Sequence, residues 1–377
     1  MNIAVNTRLL LPGKFEGIAW FTYETMKRIT TAHPEHKFIF FFDRKFSDEF
    51  IFANNIEPVV VHPQARHPVL WYLFFDFGVT AALKKYKADL FVSPDGWLSL
   101  RTNVPSINVM HDLNFATHPE FIPYLVRNYY YYFFPRFAAK AARIGTVSEY
   151  TKNDIVEKFK VSPEKIDVVY SGANDKIAPI SALVQETMRE KYTRGKPFFL
   201  FVGSLHPRKN LGNLFRAYDC FRSKTAADIK LLIVGERKWW MGDVVEAYDQ
   251  LHFKNDVIFI GKLSTEELHQ VIGSALAMTY VSFFEGFGLP IVEAFNSDVP
   301  VITSNKTAMP EVAGDAALLA DPYSVDSICE ALVRISEDSE LRQSLIEKGR
   351  IRKKLFSWQN TADLLWETIE KTIYSKA

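Results

Sequence analysis

The 377-residue chain lacks most of the features that would place it at once. It has two cysteines, Cys220 and Cys329, too few and too far apart in sequence for a disulfide framework or a cysteine-based metal site. No apolar run approaches the roughly 20 residues that a bilayer-spanning helix needs. Neither sign of charge dominates: 45 Lys and Arg face 44 Asp and Glu, so nucleic acid is not the expected main partner. Also missing are a Gly-x4-Gly-Lys-[Ser/Thr] phosphate loop, a His-Glu-x-x-His zinc motif and a Gly-x-Ser-x-Gly nucleophile elbow. There is no internal repeat. Met1–Val5 opens as a strand and not as a secretory leader, so a cytoplasmic protein is the expectation.

What is present is length, alternation and aromatic residues. The length suits two domains. Apolar stretches expected as strands (Asn2–Asn6, Lys37–Phe42, Pro58–His62, Leu90–Ser93, Ser106–Met110, Ile144–Val147 and Ile166–Val169) alternate with stretches of helical period such as Ile18–Ile29, Trp71–Tyr86 and Tyr124–Ala142. The pattern resumes after a Gly- and Pro-bearing segment at 171–179, with strands expected at Pro197–Val202, Ile229–Val234, Val257–Ile260, Leu276–Val281, Val299–Thr303 and Ala317–Ala320. Such alternation predicts parallel, doubly wound sheets, which bind ligands beyond the carboxyl ends of their strands. Phe (31) and Tyr (16) concentrate in 38–42, 71–77 and 129–134, where core packing is the first explanation. A membrane-facing or acceptor-binding surface is the second, helped by Arg127, Arg136, Lys140 and Arg143.

The chain is organised around Phe283–Glu293, in which a strand runs into Gly286 and Gly288 and then into Pro290, suited to the first position of a helix. A strand, a glycine turn and a helix N-terminus aim several N–H groups at one place, as an anion site requires. Glu285 and Glu293 frame the turn and could accept hydrogen bonds from a polyhydroxyl group. From spacing alone a plain turn is an equal reading, because a first-turn Glu is favoured by the helix dipole in any case. Arg208 and Lys209 stand where a strand turns into a helix. There they oppose the dipole unless a bound diphosphate lies between them and the amides. In isolation a solvated basic turn would explain them as well.

Glu285-Gly-Phe-Gly-Leu-Pro-Ile-Val-Glu293 resembles the Glu-x7-Glu motif of the large family of retaining glycosyltransferases with two facing Rossmann-like domains. The resemblance continues through Val299-Pro-Val-Ile-Thr-Ser, Met309-Pro-Glu-Val-Ala-Gly-Asp-Ala-Ala-Leu-Leu and Asp321-Pro322, and is looser in the first half. It implies the GT-B architecture, two doubly wound α/β domains facing a cleft. Residues 1–172 would form the acceptor-side domain and 173–357 the nucleotide-sugar domain, with the terminal helix 358–377 packing back on the first.

The same resemblance assigns roles. Glu293 would take the ribose hydroxyls and Glu285 the hexose; Phe287, Gly288 and Leu289 would offer N–H groups to sugar or phosphate. Arg208 and Lys209, after the strand ending at Gly203, would stabilise the departing phosphate. His111, at the end of Ser106–Met110, would contact the sugar from the first domain, with Asp112 orienting it or serving the structure, and Gly17 would lie near the acceptor. No Asp-x-Asp metal motif occurs, so no metal and no tightly bound cofactor are expected. The donor would be a nucleoside-diphosphate hexose, GDP-mannose being preferred over a UDP-sugar because of the likeness to bacterial surface-polysaccharide mannosyltransferases. A glycan or lipid-linked glycan would be the acceptor, with peripheral contact at the inner membrane face. Replacing Arg208 and Lys209 together is expected to lower turnover by orders of magnitude and leave the fold intact. The rival readings are a same-fold sugar-nucleotide epimerase and a non-catalytic sugar-nucleotide-binding subunit.

Overall fold

The computed structural model describes residues 1–13, 17–174, 176–237 and 239–374. Parts of the expected glycine loop (14–16), linker (175) and terminal segment (375–377) fall outside them. The chain divides into two compact units, Met1–Gly172 with Trp358–Ala377, and Ala173–Ser357.

The first unit is built on a seven-stranded parallel sheet, ordered β3-β2-β1-β4-β5-β6-β7. Its strands are β1 (Asn2–Asn6), β2 (Lys37–Phe42), β3 (Ile56–Val60), β4 (Leu90–Ser93), β5 (Ser106–Met110), β6 (Arg143–Thr146) and β7 (Ile166–Val168). All pair in parallel, with Ile3 opposite Phe38 on one side and Leu90 on the other. Strands covered on both faces need near-continuous apolar runs, and Phe38–Phe42 supplies five buried residues in a row. The order reverses between β1 and β4, the switch point at which such sheets leave a crevice for ligands.

Two sequence expectations change here. The helix expected at Trp71–Tyr86 starts earlier, because Pro68 occupies a first-turn position, and it runs to Lys85 through a π-turn at Phe74–Val79. The aromatic clusters are not uniformly core. Phe38–Phe42, Phe74, Phe75 and Phe134 are buried, whereas Leu73, Phe77, Tyr131 and Tyr132 are exposed. The C-terminal helix Trp358–Tyr374 packs against the helix Gly17–Ala32, stacking Trp366 on His33, and Lys371 pairs with Asp167 at 3.0 Å.

The second unit has a six-stranded parallel sheet, ordered β10-β9-β8-β11-β12-β13. The strands are β8 (Phe198–Val202), β9 (Lys230–Val234), β10 (Val257–Gly261), β11 (Ala277–Tyr280), β12 (Val301–Ser304) and β13 (Ala317–Ala320). Here the order reverses between β8 and β11. Cys220 and Cys329 correct the reading that sequence distance keeps them apart. The helices Leu211–Lys224 and Val325–Glu337 pack together and join them as a disulfide, Cα to Cα 6.1 Å, across 109 residues.

Candidate active site

The loops after β8 and β11 flank the switch point of the second sheet, and they are stitched together by backbone and side chains. Phe283 N–H donates to Arg208 O at 2.8 Å. Asn210, held left-handed at φ 60° between the short 3₁₀ turn Pro207–Lys209 and the helix that follows, donates from Nδ2 to Val281 O (2.9 Å) and Pro322 O (2.7 Å). A buried amide that satisfies carbonyls on two other segments fixes the turn carrying Arg208 and Lys209. Gly235, at the end of β9, permits the approach from the other side: a Cβ there would lie 1.9 Å from Gly203 O.

That scaffold brings Arg208, Lys209 and Glu285 into one cluster. Arg208 Nη1 meets Glu285 Oε2 at 2.5 Å and also donates to Phe284 O at 3.1 Å; Lys209 Nζ meets Glu285 Oε1 at 2.7 Å. Lys209 also donates to the Tyr280 hydroxyl, over whose ring it lies. The family resemblance implies Glu285 at the sugar and the two cations at phosphate, as separate parts; in the folded chain they bind one another. Although burial works to raise it, the two cations hold the Glu285 carboxyl down at about 2. Burial and the same cations push His206 down to about 4, and its Nδ1 accepts from the Arg208 N–H at 3.3 Å.

The turn that follows needs glycine at one of its two glycines. Gly288 has φ +114°, with Ile291 Cδ1 3.0 Å from a built Cβ, whereas Gly286 is not left-handed. The N–H groups of Phe287, Gly288 and Leu289 have no acceptor among the described residues. They precede or open the helix Leu289–Asn296, where the dipole favours an anion. Glu293 lies beyond the first turn of this helix, so the dipole does not account for it. Its carboxylate has no partner among the described residues, and burial pushes it up to about 7 although the residue keeps some exposure.

The other two candidates are on the first unit. His111 follows β5 and bonds through Nε2 to Pro94 O at 2.8 Å. A carbonyl only accepts, so Nε2 carries the proton and Nδ1 keeps a lone pair in the neutral ring, a state that burial favours by lowering the pKa. Asp112 accepts from Asn114 N–H at 3.0 Å, a local turn contact. Gly17 is the exposed first residue of its helix. Asn210, Tyr280 and Gly235 were not legible as site determinants, since their contacts join segments far apart in sequence. Among the described residues no group of three His, Cys, Asp or Glu side chains is placed to hold a metal ion.

The switch point of the second unit thus holds the Arg208–Glu285–Lys209 cluster beside amide groups that have no acceptor among the described residues, an arrangement suited to an anion. Residues 184–352 match the family described as "Glycosyl transferases group 1" and residues 15–176 the one described as "Glycosyltransferase Family 4"; the chain is a glycosyltransferase of this group. It is 27% identical to the O-antigen chain mannosyltransferase B of Escherichia coli over 355 residues, 91% of this chain and 93% of that protein. It is 28% identical to the O-antigen chain mannosyltransferase RfbU of Salmonella typhimurium, over 72% of this chain and 71% of that one. The solved structure of Anabaena Alr3699/HepE in complex with UDP-glucose shares the fold, with a TM-score of 0.72 at 16% identity, over 98% of this chain and all of that one.

Proposed function

We propose that the protein transfers a hexose from a nucleoside-diphosphate hexose to a glycan or lipid-linked glycan in surface-polysaccharide synthesis, retaining the anomeric configuration and using no metal. The observation that carries the reading is the Arg208–Glu285–Lys209 cluster beside the unengaged N–H groups of Phe287, Gly288 and Leu289. Fixed cations and aligned amides stabilise charge growing on a departing diphosphate without reorganising during the reaction. Carboxylate oxygens accept more than one hydrogen bond, so Glu285 can hold both cations and still receive a hexose hydroxyl. Glu293, with no partner among the described residues, is assigned to the ribose hydroxyls, Gly203 to the close backbone approach beside Lys209, and His111 to the sugar. The acceptor oxygen bonds to the anomeric carbon as the bond to phosphate breaks on the same face. Its proton passes to the leaving phosphate oxygen, and no enzyme nucleophile is assigned.

Mannose, and hence GDP-mannose, is favoured by the names of the two relatives above. Peripheral membrane contact on the cytoplasmic side is favoured by exposed Leu73, Phe77 and Tyr132 with Arg101 and Arg136 over the rings of Phe77 and Tyr132. Among the described residues no helix is long and apolar enough to cross a membrane. Sugar-nucleotides are to be screened by thermal shift, where a ligand at 100 times its Kd adds about 2.7 kcal/mol to the native state. Transfer is then followed with and without EDTA and the product anomer read by NMR. No shift with any donor, an inverted product or loss of rate in EDTA would each remove the corresponding part of the reading.

A further inference from the structure

Lys209 carries its charge on a flexible stem, and a cation of that kind keeps one position only where several contacts fix it. Glu285 Oε1 takes one of its N–H groups at 2.7 Å. The second anchor is Tyr280, to which the roles above give nothing to do. Lys209 Nζ donates to the Tyr280 hydroxyl and lies 4.8 Å from the centroid of the same ring, so one side chain offers it an acceptor and a π-face. An ammonium only donates, so the phenol oxygen accepts and keeps its own O–H for a further partner. The Glu285 carboxylate and Ser282 Oγ are both close enough to affect the ionisation of Tyr280. Ser282 Oγ is fully buried and has no hydrogen-bond partner among the described residues.

Tyr280 is itself tied to the sheet. It ends β11, where it pairs with Thr303 of β12 and accepts the Thr303 hydroxyl at its carbonyl at 2.8 Å. Its ring stacks on that of Phe201 in β8, centroid to centroid 6.5 Å, and the residue is 1% exposed. A group at the end of a central strand is held more precisely than one on a loop. Packing alone does not call for the hydroxyl. Phe would fill nearly the same space, and a buried phenol oxygen is unfavourable unless it is bonded. Here the bond goes to the cation.

We propose that Tyr280 is a positioning residue, which ties Lys209 Nζ to the end of β11 so that its charge stands in place before the diphosphate departs. A cation fixed beforehand stabilises the growing charge without moving during the reaction. The assignment rests on the glycosyl-transfer reading above and acts through Lys209. Tyr280→Phe keeps the ring and removes one oxygen. It is expected to lower kcat about tenfold or more, with KM for the sugar-nucleotide donor changed less than about twofold. In the Lys209→Met background the same substitution should change kcat less than about twofold, because its route to the reaction is already gone. Equal kcat in wild type and Tyr280→Phe overturns the proposal, and so do losses that multiply when the two substitutions are combined. A second measurement needs no donor. In protein labelled with 13C-lysine, the Lys209 Cε resonance, assigned by its absence from Lys209→Met, should move in Tyr280→Phe and titrate at a different pH. An unchanged resonance and titration also overturn the proposal. A wild-type protein that transfers from no sugar-nucleotide, yet whose Lys209 resonance depends on Tyr280, would keep the positioning role and sink the transfer reading instead.

Discussion

Arg208 and Glu285 are separated by 77 residues of sequence and by 2.5 Å in space, and Lys209 completes the same ion cluster on the other carboxylate oxygen. Replacing both cations by Ala therefore does more than remove phosphate ligands. It strands a buried carboxylate, at a cost of about 3–5 kcal/mol, so the sequence-based expectation of an intact fold is revised. The double variant is expected to lose at least a hundredfold in turnover and several degrees in Tm. Adding Glu285→Gln should restore much of the Tm and none of the rate. Calorimetry with a donor-consumption assay checks this; a fully active double variant would remove the leaving-group assignment.

Glu293 gives a pH signature with a definite sign. The fold raises its carboxyl from the ordinary 4.5 to about 7, so the neutral form is the one the fold favours. The stability this contributes is complete below about pH 4.5 and is lost as pH rises through about 7. Glu293→Gln, which cannot ionise, should match the wild type near pH 5 and exceed it in Tm near pH 8.5, while binding donor more weakly. Parallel Tm-against-pH curves for the two proteins would show the carboxyl to be unperturbed.

Glu285 behaves in the opposite way. Its pKa is lowered to about 2, so its pairing with Arg208 and Lys209 contributes above pH 4.5 and is lost only as pH falls through about 2. Glu285→Gln is expected to destabilise the protein at pH 7, and the difference from wild type should close below pH 3. Acid unfolding curves of both proteins provide the measurement.

The exposed side chains of the first unit offer a membrane test. Tyr72 joins Phe77 and Phe133 by ring contacts, and Phe133 in turn touches Tyr132, so the exposed rings belong to one continuous face. Leu73→Ser with Phe77→Ser should reduce co-sedimentation with phosphatidylglycerol vesicles severalfold while leaving thermal stability within about 0.5 kcal/mol, as surface changes usually do. Sedimentation with such vesicles at the wild-type level would detach this face from the membrane.

The disulfide predicts no free thiol in protein denatured without reductant and two after reduction. Reduction of a bridge closing so long a loop should lower stability by roughly 2–4 kcal/mol. Thiol titration beside a melting curve decides it.

How much of this could be read from the chain follows from how local each signal is. Apolar alternation marked both sheets, because strand burial is written in consecutive residues such as Phe38–Phe42. The Glu285–Glu293 stretch carried the family because its turn, helix start and carboxylates are contiguous. Pairings across the sheet left no such trace. Nothing in the residues around Glu285 says that Arg208 and Lys209 close on it, around Cys220 that Cys329 is its neighbour, or around Asp95 that Arg8 reaches it. The start of the helix expected at Trp71–Tyr86 lies at Pro68 for a different reason: apolar period marks the buried face and not the Pro that opens the first turn.

The helix Trp358–Tyr374 belongs to the unit that begins at Met1, with the whole of Ala173–Ser357 inserted between. On the ribosome, the inserted unit is therefore complete while the outer one still awaits its last piece. Until the final helix emerges, the surface around His33 that receives Trp366 stays uncovered, and Asp167 lacks Lys371. Synthesis that stops anywhere before Trp358 leaves the outer unit unfinished, however much of the inserted unit has been made.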